Sequence, residues 1–221
     1  KLRVTSAVDT AEYEFDTTGR SLGEMCWQSE SILYTATGAR TTLRFESRSG
    51  IAAGPAIDNA RIEVAVDGND DGVLDGLQSN VSTQPDATTG SDVTVESPVD
   101  TLLTEVIVSQ DPAPGVDPPD DVEFPIGFVE FNVEGVVVGG TIEITLYPES
   151  PQPLNAYYKF DGTSFVEFSG ASFIDADNDG LVEEIVLSLT DGGAGDLDGV
   201  ANGVIIDPGG PAFNPPGSMI T

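Results

Sequence analysis

The stretch DGNDDGVLD, Asp67 to Asp75, carries an oxygen-bearing side chain at alternate positions and then turns on Asp-Gly. Asp67, Asn69, Asp71 and Asp75 take the first, third, fifth and ninth places of a loop whose sixth place is Gly72. In such a loop alternate side chains converge on one ion, a backbone carbonyl at the seventh place, here Val73, adds another oxygen, and the small sixth residue permits the sharp turn. The same spacing returns in DADNDGLVE, where Asp175, Asp177, Asp179 and Glu183 take the side-chain places, Gly180 the turn and Leu181 the carbonyl. An all-oxygen donor set selects Ca2+ or Mg2+ over softer metals, and a flexible cage of many oxygens suits Ca2+. Neither loop has an acid at the twelfth place, where Gln78 and Val186 stand, so each needs a further oxygen from water, Asn80, Glu184 or another strand.

Asp-Gly pairs also make ordinary hairpin turns. A turn needs only one such pair, however, and alternating acids repel. Two carboxylates ~4 Å apart cost about 4 kcal/mol at an effective dielectric of about 20, a cost a bound cation removes. Calcium is therefore the expected cofactor of both loops. A third acidic loop, TDGGAGDLDGVANG, offers Asp191, Asp196, Asp198 and Asn202. Two readings of it stand side by side: its glycines wrap backbone carbonyls around an ion, or they serve tight turns.

The elements that must hold these loops are short strands. Apolar residues alternate at Leu2/Val4, Tyr13/Phe15, Leu43/Phe45, Ile62/Val64/Val66, Val93/Val95, Val129/Phe131/Val133, Ile142/Ile144/Leu146 and from Ile185 to Leu189. Period-two alternation turns one face inward and the other to solvent, which for many short strands predicts all-β sandwiches of jelly-roll or immunoglobulin-like type with almost no helix. The expected organisation is a partial jelly-roll sandwich over 1–66, a calcium-loop junction over 67–80, a second sandwich over 81–213 and an extended tail over 214–221. The proline-rich DPAPGVDPPDD is expected to be extended and semi-rigid, and GGPAFNPPGSMIT to form an extended exit.

Composition excludes several functions. Eight Lys and Arg against 38 Asp and Glu give a formal charge of −30, which repels nucleic acid and anionic membrane surfaces. So large an excess destabilises a compact state by self-repulsion unless cations or salt neutralise it. With no histidine, imidazole-based triads and His metal sites are impossible. Cys26 is the sole cysteine, so an intrachain disulfide and a Cys-rich zinc site are excluded as well. No apolar run reaches the roughly 18 residues of a membrane span, and no direct membrane insertion is expected. Phosphate-loop, serine-triad and dinucleotide motifs are missing, and an enzyme is not expected.

The segment LSLTDGGAGDLDGVANGVIIDPGGPA, with AYYKFDG and DGVLDGLQSNV before it, resembles the choice-of-anchor U domain of bacterial surface proteins over about residues 67–213. KLRVTSAVDTAEYEFDTTG, MCWQSESILYTATGARTTLRFES and AAGPAIDNARIEV resemble the second half of a choice-of-anchor C domain, a jelly roll similar to galactose-binding modules. The resemblance implies export to the bacterial surface and attachment through a cleavable C-terminal sorting signal, with the chain stopping where that signal would begin. It also implies that 1–66 supply only part of a sandwich. Upstream residues complete it, or a neighbouring molecule does so by strand addition, which would make the protein a filament subunit. The expected function is a calcium-stabilised structural or adhesive protein, extracellular or on the cell surface, whose partner is another copy or a neighbouring surface protein. The alternative is a carbohydrate-binding module that grips a glycan with Trp27, Tyr34 or Tyr13.

Overall fold

Alternation becomes strand at Leu2/Val4 and, beyond residue 80, at every place where the sequence shows it. The structure, a computed structural model, describes residues 1–16, 28, 30–34, 36, 38, 40–48, 55–58, 60, 62, 65–111, 113, 115–119 and 121–215. It is nearly all β, with three antiparallel sheets. Two compact units divide it, Lys1–Ala65 and Val66–Thr221.

In the first unit β1 (Leu2–Thr5), β2 (Thr10–Tyr13) and β3 (Arg44–Ser47) form a sheet in the order β2-β1-β3. Val4 is buried and stands between Ala11 and Phe45, its cross-strand partners. The β1–β2 turn closes on Asp9, whose carbonyl accepts the Ser6 N–H at 2.9 Å. A partial jelly-roll sandwich is expected here, and the described residues form these three strands. Ile62 and Val66 are in no strand, while Val64 and Trp27 lie outside the described residues.

The second unit contains β4 (Val81–Pro85), β5 (Asp92–Glu96), β6 (Leu102–Ser109), β7 (Phe128–Glu134), β8 (Thr141–Pro148), β9 (Ala156–Phe160), β10 (Phe165–Glu167), β11 (Ala171–Ile174), β12 (Glu184–Thr190) and β13 (Val204–Ala212). One sheet runs β10-β9-β13-β7-β6 and the other β11-β12-β8-β5-β4. Their inner faces share one core. Val95, Leu146 and Leu187 from the second sheet join Phe131, Tyr157 and Ile205 from the first, all at most 1 % exposed. Burying side chains of this size is worth roughly 1.5–3 kcal/mol each, and it is this face that fixes strand register, since a one-residue slip would turn every core residue outward. A smaller aromatic cluster lies on the other face of the β9/β13/β7 strands, where Phe124 stacks on Phe128 with centroids 4.3 Å apart.

One expectation fails in this unit. GGPA, read from sequence as the start of an extended exit, is the end of β13, a central strand held between β7 and β9. Prolines are poor in central strands because they donate nothing to the ladder. Here Pro208 is paired only with Glu130 of β7 and Pro211 only with Tyr157 of β9, so each has one flank that needs no N–H. The glycines between them make room for rings: a Cβ at Gly209 would stand 2.4 Å from Tyr157 Cε1, and one at Gly210 2.9 Å from Phe128 Cδ1.

Edge strand β6 is broken by a bulge between Thr104 and Ile107, with Glu105 at φ 54°. A bulge twists an edge away from foreign strands.

Candidate metal centre

The loop over 175–183 joins β11 to β12, whose last paired residues are Ile174 and Glu184. Its backbone bends so that carboxylates fold back over their own amides. Asp175 accepts the N–H of Asp179 at 3.1 Å on one oxygen and that of Gly180 at 2.9 Å on the other. Asp179 accepts from Leu181 N at 2.8 Å, and Glu183 reaches across to accept from Ala176 N at 2.8 Å. Two residues adopt the left-handed conformation, Asn178 at φ 62° and Gly180 at φ 93°. Asn and Gly tolerate it best.

The result is convergence. One carboxylate oxygen from each of Asp175, Asp177, Asp179 and Glu183 lies within 4.8 Å of all the others, and among the described residues this is the acidic cluster that could hold a metal ion. A carboxylate has about four lone-pair sites, so accepting one or two N–H groups leaves each with capacity for a cation.

The loop over 67–75 repeats the backbone design. Asp67 accepts the N–H groups of Asp71 at 3.1 Å and Gly72 at 3.0 Å, Asp71 accepts from Val73 N at 2.7 Å, and Asp75 accepts from Gly68 N at 3.2 Å. Asp70 at φ 55° and Gly72 at φ 86° match Asn178 and Gly180. Sequence spacing thus specifies local conformation twice over.

The two loops part company at their side chains. Asp75 is turned into the protein, 5 % exposed, and takes a short hydrogen bond from the Thr83 hydroxyl, which in turn meets Thr94 Oγ1 at 2.6 Å. Asn69 donates to Glu96 Oε2 at 3.2 Å, while its own Oδ1 is buried without a hydrogen-bond partner. Gln78, at the twelfth place, donates through Nε2 to the Val73 carbonyl at 3.1 Å and lies 3.4 Å from Asp71 Oδ1. An amide N–H therefore bridges two oxygens that the spacing assigns to an ion. Asn80 is buried and donates to the Ser97 carbonyl at 2.8 Å.

Docking of this loop on β4 and β5 depends on Gly68. A Cβ there would stand 2.0 Å from Thr94 Oγ1. Gly68→Ala is expected to destabilise the second unit by about 1–3 kcal/mol through overpacking, read as a lower urea midpoint with unchanged slope.

The third loop uses its acids differently. Asp191, 2 % exposed, accepts N–H groups from Gly139 at 2.7 Å, Gly203 at 3.1 Å and Asn202 at 3.2 Å. Asp196 accepts from Gly192 at 2.8 Å and Ile206 at 3.1 Å, and Asp198 from Val200 N at 2.7 Å and Asn202 Nδ2 at 2.9 Å. These groups staple loop backbone to the start of β13, and the structure does not gather them into an acidic cage. The tight-turn reading fits, since a Cβ at Gly192 would lie 2.4 Å from Ala201 N.

Asp86, which sequence reading passed over, does the same for the β4–β5 turn, accepting from Thr88 N at 2.8 Å and Gly90 N at 3.1 Å and also from Thr89. Its signal was the Asp-Ala-Thr-Thr-Gly run, a typical side-chain-closed turn.

These contacts carry a pH signature. At Asp191 burial opposes the charged form, but the N–H groups of Gly139, Gly203 and Asn202 outweigh it and hold the carboxyl below its ordinary value. A lowered folded-state pKa contributes stability that is complete above the unfolded value of about 3.9 and is lost as pH falls through the folded one. The stability gap between the native chain and Asp191→Asn should be constant from neutrality to about pH 5 and close below about pH 4, measured by urea unfolding across that range.

For the sugar platform the structure offers little: the Tyr13 hydroxyl donates to Ser31 O at 2.7 Å, Tyr34 is half-buried, and Trp27 lies outside the described residues. Fold and site together define a β-sandwich carrying an acidic hairpin that could hold a metal ion. Comparisons with protein-family models, curated proteins and solved structures find no match to this chain.

Proposed function

We propose that this protein is a non-enzymatic, calcium-stabilised structural or adhesive module of the bacterial surface or extracellular matrix. The observation that carries the reading is the four-carboxylate cage of the β11–β12 hairpin, with oxygens from Asp175, Asp177, Asp179 and Glu183 within 4.8 Å of one another. Oxygens bound at 2.3–2.6 Å to one Ca2+ lie at most ~5 Å apart across the ion, whereas an ion the size of Mg2+ draws them to ~4 Å. Leu181 stands at the place expected to add a backbone oxygen; in the first loop the equivalent Val73 carbonyl accepts from Gln78 Nε2 instead. There the buried, partnerless Asn69 Oδ1 is a second pointer, because orphaned buried acceptors are uncommon without an ion or water.

The formal charge of −30 supports the same reading: cations bound at the loops lower the repulsion the fold must overcome. The resemblance to choice-of-anchor domains supports the surface location. Strands β2 and β3 are the edges of the first unit's sheet among the described residues, and a neighbouring copy adding a strand there would build a filament.

Isothermal calorimetry of the chelator-treated chain with Ca2+ tests the site. Saturable binding that Asp177→Ala removes is expected, and absence of binding at millimolar Ca2+ would end the proposal.

A further inference from the structure

Inside the sandwich core lies a pair of charged residues that the metal loops do not use. Lys159 of β9 is paired opposite Gly209 of β13, and Asp207, two residues along β13, shares its inward face. Lys159 Nζ stands 2.8 Å from Asp207 Oδ2, with the two side chains 11 % and 0 % exposed. Nζ lies 4.8 Å from the centre of the Phe168 ring, the fully buried Tyr157 borders Asp207, and the buried Asp196 carboxylate also acts on the amine. Gly209 explains how three side chains fit, since a Cβ there would stand 2.8 Å from both the Tyr157 hydroxyl and Asp207 Oδ1.

As an ion pair this arrangement is poorly served. Neither Asp207 oxygen has a hydrogen bond of good geometry, and the Tyr157 hydroxyl has none either. The ammonium finds one further acceptor, the Gly195 carbonyl at 2.6 Å. Desolvating two charges costs several kcal/mol each, which attraction offsets only when the remaining lone pairs and protons are satisfied. Burial pushes the Asp207 carboxyl above its ordinary value and the Lys159 amine below its own, each against the pull of the other's charge and, at Lys159, of Asp196 as well. Both directions lower the cost of moving a proton from the amine to the acid.

We propose that Lys159 and Asp207 condense into an intramolecular amide, Nζ to Cγ, that ties β9 to β13 covalently. The ammonium first passes a proton to the carboxylate. The Nζ lone pair then attacks Cγ, forming the C–N bond, and the C–OH bond breaks so that the hydroxyl leaves with an amine proton as water. Net, ammonium and carboxylate become amide and one water, with no change in charge and no oxidant or reductant. The Tyr157 hydroxyl, held protonated by burial and by Asp207, donates to the oxygen that becomes negative in the tetrahedral intermediate.

Fixing the reactants in contact replaces a bimolecular step by an internal one, for which effective molarities reach about 10⁵–10⁸ M. The product satisfies what the ion pair leaves open: its N–H points to Gly195 O, already 2.6 Å from Nζ, and its carbonyl accepts from Tyr157.

Intact-mass spectrometry of the folded chain tests this directly. A mass one water below that of the sequence is expected, with a branched peptide joining the segments that contain Lys159 and Asp207. A folded chain of full mass, yielding the two segments separately, overturns the proposal. Asp207→Asn is expected to form the same link with loss of ammonia instead of water, and Lys159→Arg to show full mass. Tyr157→Phe keeps the ring and is expected to slow accumulation of the linked species at least tenfold after refolding; an unchanged rate would remove the role assigned to the hydroxyl.

Discussion

Calcium at a hundred times its dissociation constant is expected to raise the melting temperature of the second unit by about 5–10 °C, and chelator to reverse the rise. A ligand that binds only the folded state stabilises it by about 2.7 kcal/mol at that concentration, and each kcal/mol moves the melting point of a domain this size by roughly 2–4 °C. The folded hairpin presents four carboxylate oxygens within 4.8 Å of one another, an arrangement the unfolded chain does not hold. Asp175→Ala should abolish the calcium increment for two reasons. It deletes a ligand, and it releases the N–H groups of Asp179 and Gly180 that shape the turn. Asp177→Ala separates the effects, since Asp177 accepts only from Asp179 N, at 3.1 Å, which Asp175 also binds. It should therefore lose the calcium response with little change in calcium-free stability. If differential scanning calorimetry shows the same melting temperature with calcium and with chelator, the hairpin is an acidic turn and nothing more.

The second large effect concerns the core. Asp207→Ala is expected to lower stability by about 3–5 kcal/mol, because it removes the partner of a buried amine and with it the β9–β13 link. Lys159→Met strands the carboxylate and should cost a similar amount. The double variant Lys159→Met/Asp207→Leu removes both charges and fills the space with apolar atoms, so it should recover the desolvation part of the loss. What it cannot recover is the constraint of a covalent β9–β13 link, which restricts the unfolded chain as any long-range crosslink does. Urea unfolding of the four species as a double-mutant cycle measures the split. Single variants that unfold at the native midpoint would show that the pair contributes nothing.

Much of the fold was legible in the sequence. Alternation at Val93/Val95, at Val129/Phe131/Val133 and from Ile185 to Leu189 marks strands β5, β7 and β12, because a strand with one buried face must repeat every two residues. The two Asp loops were equally legible: places one, five and nine bind their own backbone in the same pattern in both, so the local conformation follows from local chemistry. β13 was not legible. Its Asp-Pro-Gly-Gly-Pro run carries the composition of a turn, and only neighbours that leave each proline one free flank, and rings that need the glycine space, make it a strand.

Among the acids, the sequence by itself determined which could gather around a cation, and tertiary structure decided which do. Asp175, Asp177, Asp179 and Glu183 take hydrogen bonds only from the backbone of their own hairpin, and they converge. Asp75 is drawn to Thr83 on a neighbouring strand, and Asp191 to amides of Gly139 and Gly203, far off in the chain. Lys159 and Asp207 are likewise 48 positions apart and become partners only because β9 and β13 lie side by side. The physical reason is range: spacing within a loop fixes side-chain directions over a few residues, whereas burial and the choice of hydrogen-bond donor depend on which strands the sheet brings together.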